Sequence, residues 1–496
     1  MKSLFILLLC SILFTQSFAQ KTSITGKLPG FSYGLVTLSR PTKSLMYDTP
    51  NIAVLKTNID KTGAFSFNLE SIDNELVILK ISDSTGNKTF LKQFFYIRKG
   101  YNLTLTEGNQ TEIIITGNGA DDNHLKGIET FYNVGEAKQD SVPDRIYSAI
   151  NNFYSRDKAV LDSISKIYHL SANCKEALQY HLKYARLSSF YNEYGNLRIN
   201  MRDEVARNKQ SWENTFKALQ NEVELSDEKA LVAPSYHEYL KTFLDRRYED
   251  AIDDFYDRPS DFYREWFAND SIAAESIMKK DAMNQLKQKL IEKHFTAKVK
   301  EQMYALLLDL MVERQLFANV ESIFNDFKHQ FPKSEFSIYF EKPFADAIAR
   351  YKNQLTDKMV FVDSLENWDN ILTHFKGKTI FLDMWGTWCA PCRQDINQHS
   401  AALKKYFENK GLTFLYITNH DTDQEKWKQL IAFYNLEGSH IFASRNLSQE
   451  IMKNIKGTGY PTYAIIDRYG KVELSRTQSP MQREALIQQI EEVLRR

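Results

Sequence analysis

The chain has 496 residues, 43% of them hydrophobic and 25% charged, which fits about three folded units at roughly 150 residues each and excludes wholesale disorder. Its 63 basic and 63 acidic side chains cancel, which removes the overall electrostatic pull toward nucleic acid or an anionic membrane surface. Four cysteines are too few for a disulfide scaffold, so cysteine chemistry here is local.

The chain opens with Met1-Lys2-Ser3, an apolar run from Leu4 to Phe14, and Ser17-Phe18-Ala19. A basic start, a short apolar stretch and small residues at −3 and −1 predict a secretory leader over 1–19. The run is shorter than the roughly 20 residues of a membrane span, so an uncleaved anchor is the weaker alternative. Cys10 follows Leu9 where lipidation would require a small residue, and reads as one more apolar side chain of the run. Export to the periplasm or cell envelope is the expected localisation.

Glycine then divides the chain: nine in 21–120, three in 121–376 and seven in 377–496. Within 20–120, short runs at 64–69, 75–81, 94–97, 102–106 and 112–115 follow a period near two, punctuated by Gly63, Gly86, Gly100 and Gly108. That spacing predicts an all-β sandwich. The glycine-poor stretch 121–355 reads as a central α-helical region. Leu316, Val320, Ile323, Phe324 and Phe327 fall at helical spacing, as do Leu286, Leu290 and Ile291. Pro143, Pro234, Pro259, Pro332 and Pro343 are its expected helix boundaries. Cys174, alone in this region, is either a buried inert thiol or an intermolecular handle.

Residues 356–496 alternate between the two periods. Strands are expected at 379–384 and 412–417, helices at 391–407, 424–434 and 484–494, and a hairpin from 462–467 to 471–474 through Arg468-Tyr469-Gly470. The pattern is α/β with a mixed sheet.

Trp388-Cys389-Ala390-Pro391-Cys392 stands where the first of these strands gives way to its helix. Two thiols two residues apart at a helix N-terminus can close a disulfide across one turn, and the helix dipole favours a thiolate on Cys389. Pro391 fits the first helical turn, where its missing N–H is harmless. Lowering a thiol pKa from about 8.5 to about 7 raises its thiolate fraction at neutral pH from roughly 3% to about half. This chemistry requires the Cys389 sulfur to be accessible. A zinc site would need two further ligands, and neither Cys174 nor His399 nor His420 supplies a completing spacing. The Asn-His-Asp run at 419–421 reads as a polar loop. No phosphate or dinucleotide loop appears, so no cofactor, metal or nucleic acid is expected.

The run from Phe381 through Cys392, followed by Gly459-Tyr460-Pro461-Thr462 and then by residues 465–471, resembles the thioredoxin superfamily and, within it, the exported TlpA/ResA-like branch. The resemblance covers about 356–496. It implies a thiol:disulfide oxidoreductase with Cys389 as attacking and Cys392 as resolving thiol. It also implies a cis Pro461 beside the pair, with Trp388, Tyr460 and Pro461 binding substrate, and Ala390 and Pro391 tuning the potential toward reduction. Asp383 matches the buried acid of thioredoxin and is expected to carry a raised pKa and to shuttle a proton to or from Cys392. Implied partners are protein disulfides and a membrane-embedded thiol electron donor. Asn397 departs from the proline that commonly kinks this helix in relatives. The layout of 21–355 is similar, loosely, to redox proteins of Bacteroidetes envelopes. An envelope binding or scaffold protein with a secondary redox domain, and a thiol peroxidase, are the alternatives; the peroxidase would need a Pro-x-x-x-Thr-x-x-Cys loop that the residues before Cys389 lack.

Overall fold

The computed structural model describes residues 21–40, 54–69, 74–84, 88–108, 112–129, 132, 134–135, 140–418, 423–476 and 483–496. The expected leader over 1–19 with Cys10, Gly86, and the 419–421 run with His420 lie outside the described residues.

The period-two runs become strands. β1 (Thr22–Lys27), β2 (Leu35–Ser39), β3 (Val54–Asn58), β4 (Ala64–Leu69), β5 (Asn74–Ser82), β6 (Thr89–Arg98), β7 (Asn102–Glu107) and β8 (Ile113–Asn118) form two four-stranded sheets. Their orders are β4-β1-β7-β8 and β3-β2-β5-β6. Only β1 and β7 pair in parallel; the other neighbours are antiparallel. Side chains of both sheets share one core, with Ile24, Phe65, Phe67 and Leu103 from the first and Val36, Leu38, Leu79 and Phe95 from the second. This is the expected sandwich. The second sheet is covered on its other face too: Leu76, Phe94 and Tyr96 pack on Leu161, Ile164, Cys174 and Leu178. Burial on both faces explains why the β5 and β6 sequences read as nearly continuous apolar runs.

Among the described residues ten α-helices follow: α1 (Pro143–Ile167), α2 (Ala172–Asn200), α3 (Arg202–Arg207), α4 (Lys209–Gln220), α5 (Pro234–Asp257), α6 (Pro259–Phe267), α7 (Ser271–His294), α8 (Ala297–Glu313), α9 (Val320–Gln330) and α10 (Ser337–Arg350). Pro143, Pro234 and Pro259 begin helices and Pro332 follows one, as expected. Pro343 does not mark a boundary: it lies inside α10. Aromatic packing carries the helix through it, because Phe340 and Phe344 stack at 5.5 Å and Phe344 also meets Phe317 and Phe324. Leu316 lies in the turn before α9, whose buried face is Val320, Ile323, Phe324 and Phe327.

The remaining elements are β9 (Met359–Phe361), α11 (Trp368–His374), β10 (Thr379–Trp385), α12 (Ala390–Asp395), α13 (Ala401–Phe407), β11 (Leu412–Thr418), α14 (Gln424–Phe433), β12 (Gly438–Phe442), α15 (Arg445–Ile455), β13 (Thr462–Ile466), β14 (Val472–Leu474) and α16 (Arg483–Leu494). A six-stranded mixed sheet runs β14-β13-β10-β11-β12-β9, parallel from β10 to β9 and antiparallel at β13 and β14. β10 is wholly buried. Its Ile380, Leu382 and Met384 face α11 and α15; on its other face Phe381 meets α13 and α16, and Trp385 meets the two cysteines. Asp383 lies on that second face, between Phe381 and Trp385.

The architecture is therefore multidomain, with N-terminal β-sheets, central helices and a C-terminal α/β thioredoxin fold. By compactness the chain forms two units, one reaching to Asp250 and including His294–Val299, the other comprising Ala251–Lys293 and Lys300–Arg496. No helix among the described residues is long and apolar enough to cross a membrane.

Candidate active site

β10 ends at Trp385, and a short turn through Gly386 leads into α12. A Cβ on Gly386 would stand 2.7 Å from the indole Nε1 of Trp388, so glycine is what lets that ring lie across the turn. Trp388 is 52% exposed and meets Tyr460 edge-on, 5.6 Å between ring centroids. Cys389 is the N-cap of α12, and its Sγ accepts the backbone N–H of Cys392 at 3.2 Å. Pro391 occupies the first turn, as its missing N–H allows. Cys389 and Cys392 are joined as a disulfide with their Cα atoms 5.3 Å apart. The Tyr460–Pro461 bond is cis, as the resemblance implied.

One expectation is overturned. Cys389 is only 3% exposed, and Cys392 is fully enclosed. Both sit in an apolar cluster with Trp385, Ile396, Tyr416 and Trp427, and Tyr460 packs against it. In this oxidised form the exposed side chain of the motif is Trp388, not the sulfur beside it.

Asp383 stands abreast of Tyr416 on one side and Tyr463 on the other. Both tyrosines reach toward the helix that follows Cys392: Tyr463 donates to Asp395 Oδ2 at 2.9 Å, and the Tyr416 and Ser400 hydroxyls are 3.1 Å apart. Asp383, Asp395, His399, Ser400, Tyr416 and Tyr463 line a cavity of about 20 Å³, the size of a single water. Asp383 Oδ1 and His399 Nε2 are buried without a hydrogen-bond partner among the described residues. Burial pushes the Asp383 carboxyl well above the usual carboxylate range; Asp395 adds to this, and Lys404 opposes it. Burial also brings the Lys404 amine down to about 7.

Asp395, Lys404, Tyr416 and Tyr463 are not among the site residues expected from the sequence. Asp395 carried a readable signal, since it lies three residues after Cys392 on the same helix face. The tyrosines gave none, because their place beside Asp383 is set by strand register. Among the described residues no group of three or more His, Cys, Asp and Glu is arranged to hold a metal ion.

Residues 377–472 match the family model described as thioredoxin-like. A thiol-disulfide oxidoreductase ResA of Bacillus thuringiensis subsp. konkukian is 32% identical over 131 residues, which is 26% of this chain and 73% of that protein. This chain belongs to the thioredoxin-like thiol-disulfide oxidoreductases. A ResA of Bacillus cereus matches to the same extent. Among solved structures, the thioredoxin domain of a thiol-disulfide oxidoreductase from Bacteroides vulgatus covers 25% of this chain and 84% of its own, at 21% identity and a TM-score of 0.22. As a member of this family the protein is a thiol:disulfide oxidoreductase, and its one disulfide among the described residues is Cys389–Cys392.

Proposed function

We propose that this oxidoreductase is exported and reduces protein disulfides through Cys389 and Cys392. The reading is carried by Cys389 at the N-cap of α12, its sulfur held by the Cys392 N–H and within bonding reach of the Cys392 sulfur. A helix N-terminus stabilises negative charge on that sulfur. In the cycle the Cys389 thiolate attacks a substrate disulfide, forming a mixed disulfide and releasing one substrate thiolate. Cys392 then gives up its proton and attacks Cys389, freeing the second thiolate and leaving the enzyme disulfide. Asp383, deep under the helix beside a water-sized cavity, takes that proton and returns it to solvent. Trp388, Tyr460 and Pro461 form the surface on which the substrate chain lies, and Ala390 and Pro391 tune the potential.

Regeneration consumes two electrons per turnover, and a membrane-embedded thiol donor is the partner suited to an exported reductase. The division proposed with this function is a leader over 1–19, a sandwich over 20–120, helices over 121–355 and a redox domain over 356–496.

The test is trapping. A Cys392→Ser variant of the full chain should accumulate mixed disulfides with its substrates, and Cys389→Ser should trap none and lose insulin reduction. Equilibration with glutathione should give a potential nearer about −270 mV than about −120 mV. A value near −120 mV would overturn the reductase assignment.

A further inference from the structure

The helix after Cys389 is not a continuous α-helix. α12 passes at Ile396 into a π-helical turn that runs to Ser400 before α13 resumes the ordinary pitch. Such turns are rare and concentrate at functional sites. Here Asn397, the second residue of the turn, accepts on its Oδ1 a hydrogen bond from the guanidinium of Arg350 at the end of α10. Arg350 is steadied from another side, lying over the Phe433 ring at 5.9 Å from its centroid. One turn earlier Gln394 Nε2 donates to the Glu313 carbonyl at 2.6 Å, and Arg393 Nη1 to that of Gln315 at 3.3 Å. The segment just past the dithiol is thus gripped at three positions, by the end of α10, the end of α8 and the turn that follows α8.

The side-chain consequence follows from helix geometry. In an α-helix, residues four apart diverge by about 40° around the axis and those eight apart by about 80°. A wider turn removes most of that drift. Asp395, His399 and Leu403, spaced by four, accordingly all line the cavity beside Asp383, with Ile396 and Ser400 next to them. The ionisable groups facing Asp383 are Asp395 and His399 from this helix, Lys404 from α13, Tyr416 from β11 and Tyr463 from β13, while Glu437 acts on Lys404.

We propose that Arg350 is a positioning residue for the dithiol reaction: by holding Asn397 it maintains the π turn, and the turn keeps Asp395 and His399 aimed at Asp383. The inference rests on Asp383 handling the proton of the proposed reaction. Loss of the contact lets the segment relax to the α pitch, so that His399, Ser400 and Leu403 turn out of line with Asp395, which Tyr463 holds in place. The cavity beside Asp383 then opens to water, which favours the ionised carboxyl.

The experiment compares the full-length wild type with Arg350→Ala, Asn397→Ala, the double variant and Arg350→Lys. Each is reduced and mixed with excess bis(2-hydroxyethyl) disulfide, and resolution of the Cys389 mixed disulfide, the step in which Asp383 takes the Cys392 proton, is followed between pH 5 and pH 10, with thermal melts alongside. Arg350 and Asn397 are both partly exposed, so the two alanine variants approach one contact from opposite sides with little burden on folding. The acidic limb of the rate profile should move to lower pH by about half a unit in each single variant, a roughly threefold change in protonation ratio. The double variant should move it no further, as for two halves of one contact, and Arg350→Lys should keep the limb close to its wild-type position. Alanine profiles that superimpose on a reacting wild type overturn the inference even if the melting temperatures fall, because the contact is then merely structural. A wild type that does not react with the disulfide overturns the proposed function, and this inference with it.

Discussion

Substituting Asp383 by Asn should make the protein more stable and less active, and the stability gain should grow with pH. The carboxyl is almost wholly enclosed, its Oδ1 has no hydrogen-bond partner among the described residues, and burial with Asp395 raises its pKa despite Lys404. An acid whose pKa rises on folding contributes its full stability below the unfolded value of about 3.9 and loses it as pH climbs toward the folded value. Within that window each pH unit removes about 1.4 kcal/mol relative to a side chain that does not titrate. Asn keeps the shape and abolishes the titration. The stability difference between variant and wild type should therefore climb at about 1.4 kcal/mol per unit above pH 5 and level off at the folded pKa. Because the chain has two compact units, a single unfolding curve is ambiguous. Hydrogen exchange of peptides covering β10, read by mass spectrometry on the oxidised protein, reports the local free energy directly. In parallel, disulfide exchange at pH 7 should slow by about a hundredfold, a usual contribution of one proton-transfer group. A stability difference that stays flat from pH 5 to pH 8, or an Asn variant less stable than wild type, would show the carboxylate to be ionised and well solvated, and would refute the reasoning.

Lys404 carries the opposite sign: its amine, brought to about 7 by burial, contributes full stability above about 10.5 and loses it as pH falls toward 7. Lys404→Met should therefore stabilise the sheet by about 4 kcal/mol at pH 7, measured by the same exchange experiment. His440 is buried with Nε2 2.7 Å from the Leu436 carbonyl, and burial lowers its pKa to about 4. The stability it retains above pH 6.5 should drain by about 3 kcal/mol as pH falls to 4, and His440→Gln should flatten that acid limb in hydrogen exchange of β12. Cys174 is enclosed, and burial pushes its thiol well above the usual range. Iodoacetamide should modify it only in denaturant, while Cys389 of the reduced native protein reacts; comparable native labelling of both would contradict this.

Local signals were legible and long-range ones were not. Strands β4 and β7 could be read because their alternation is regular, and β5, β6 and β8 because short apolar runs between turn residues also read as strands. β1 hid because Ile24 is its one large apolar side chain, and β9 because three residues hold no period. α15 is not among the elements expected from the sequence, although Leu447, Ile451 and Ile455 form a clear stripe. The Cys389–Cys392 pair, Asp383 and the cis Pro461 followed from motif and order. Asp395 reached the site through Tyr463, and Arg350 through Asn397, partners brought together by the folded sheet and helices and not by any spacing in the chain. The departure at Asn397 was visible in the sequence, but that it receives a hydrogen bond from α10 was not. The enclosure of Cys389 is not legible in the sequence, because it depends on the packing of Trp385 and Tyr460, which no motif encodes.

The central strand β10 owes its antiparallel neighbour to the far end of the chain: Met384 faces Thr462, and Ile380 faces Ile466. The sandwich shows the same dependence, with Ile24 beside Leu103. Pairings so distant in sequence close slowly and late. A chain emerging from a ribosome presents both cysteines before Trp427 and Tyr460 arrive to pack around them. During that interval the thiols are open to oxidation by any passing disulfide, so the enzyme's first encounter with its own chemistry comes while it is still being assembled.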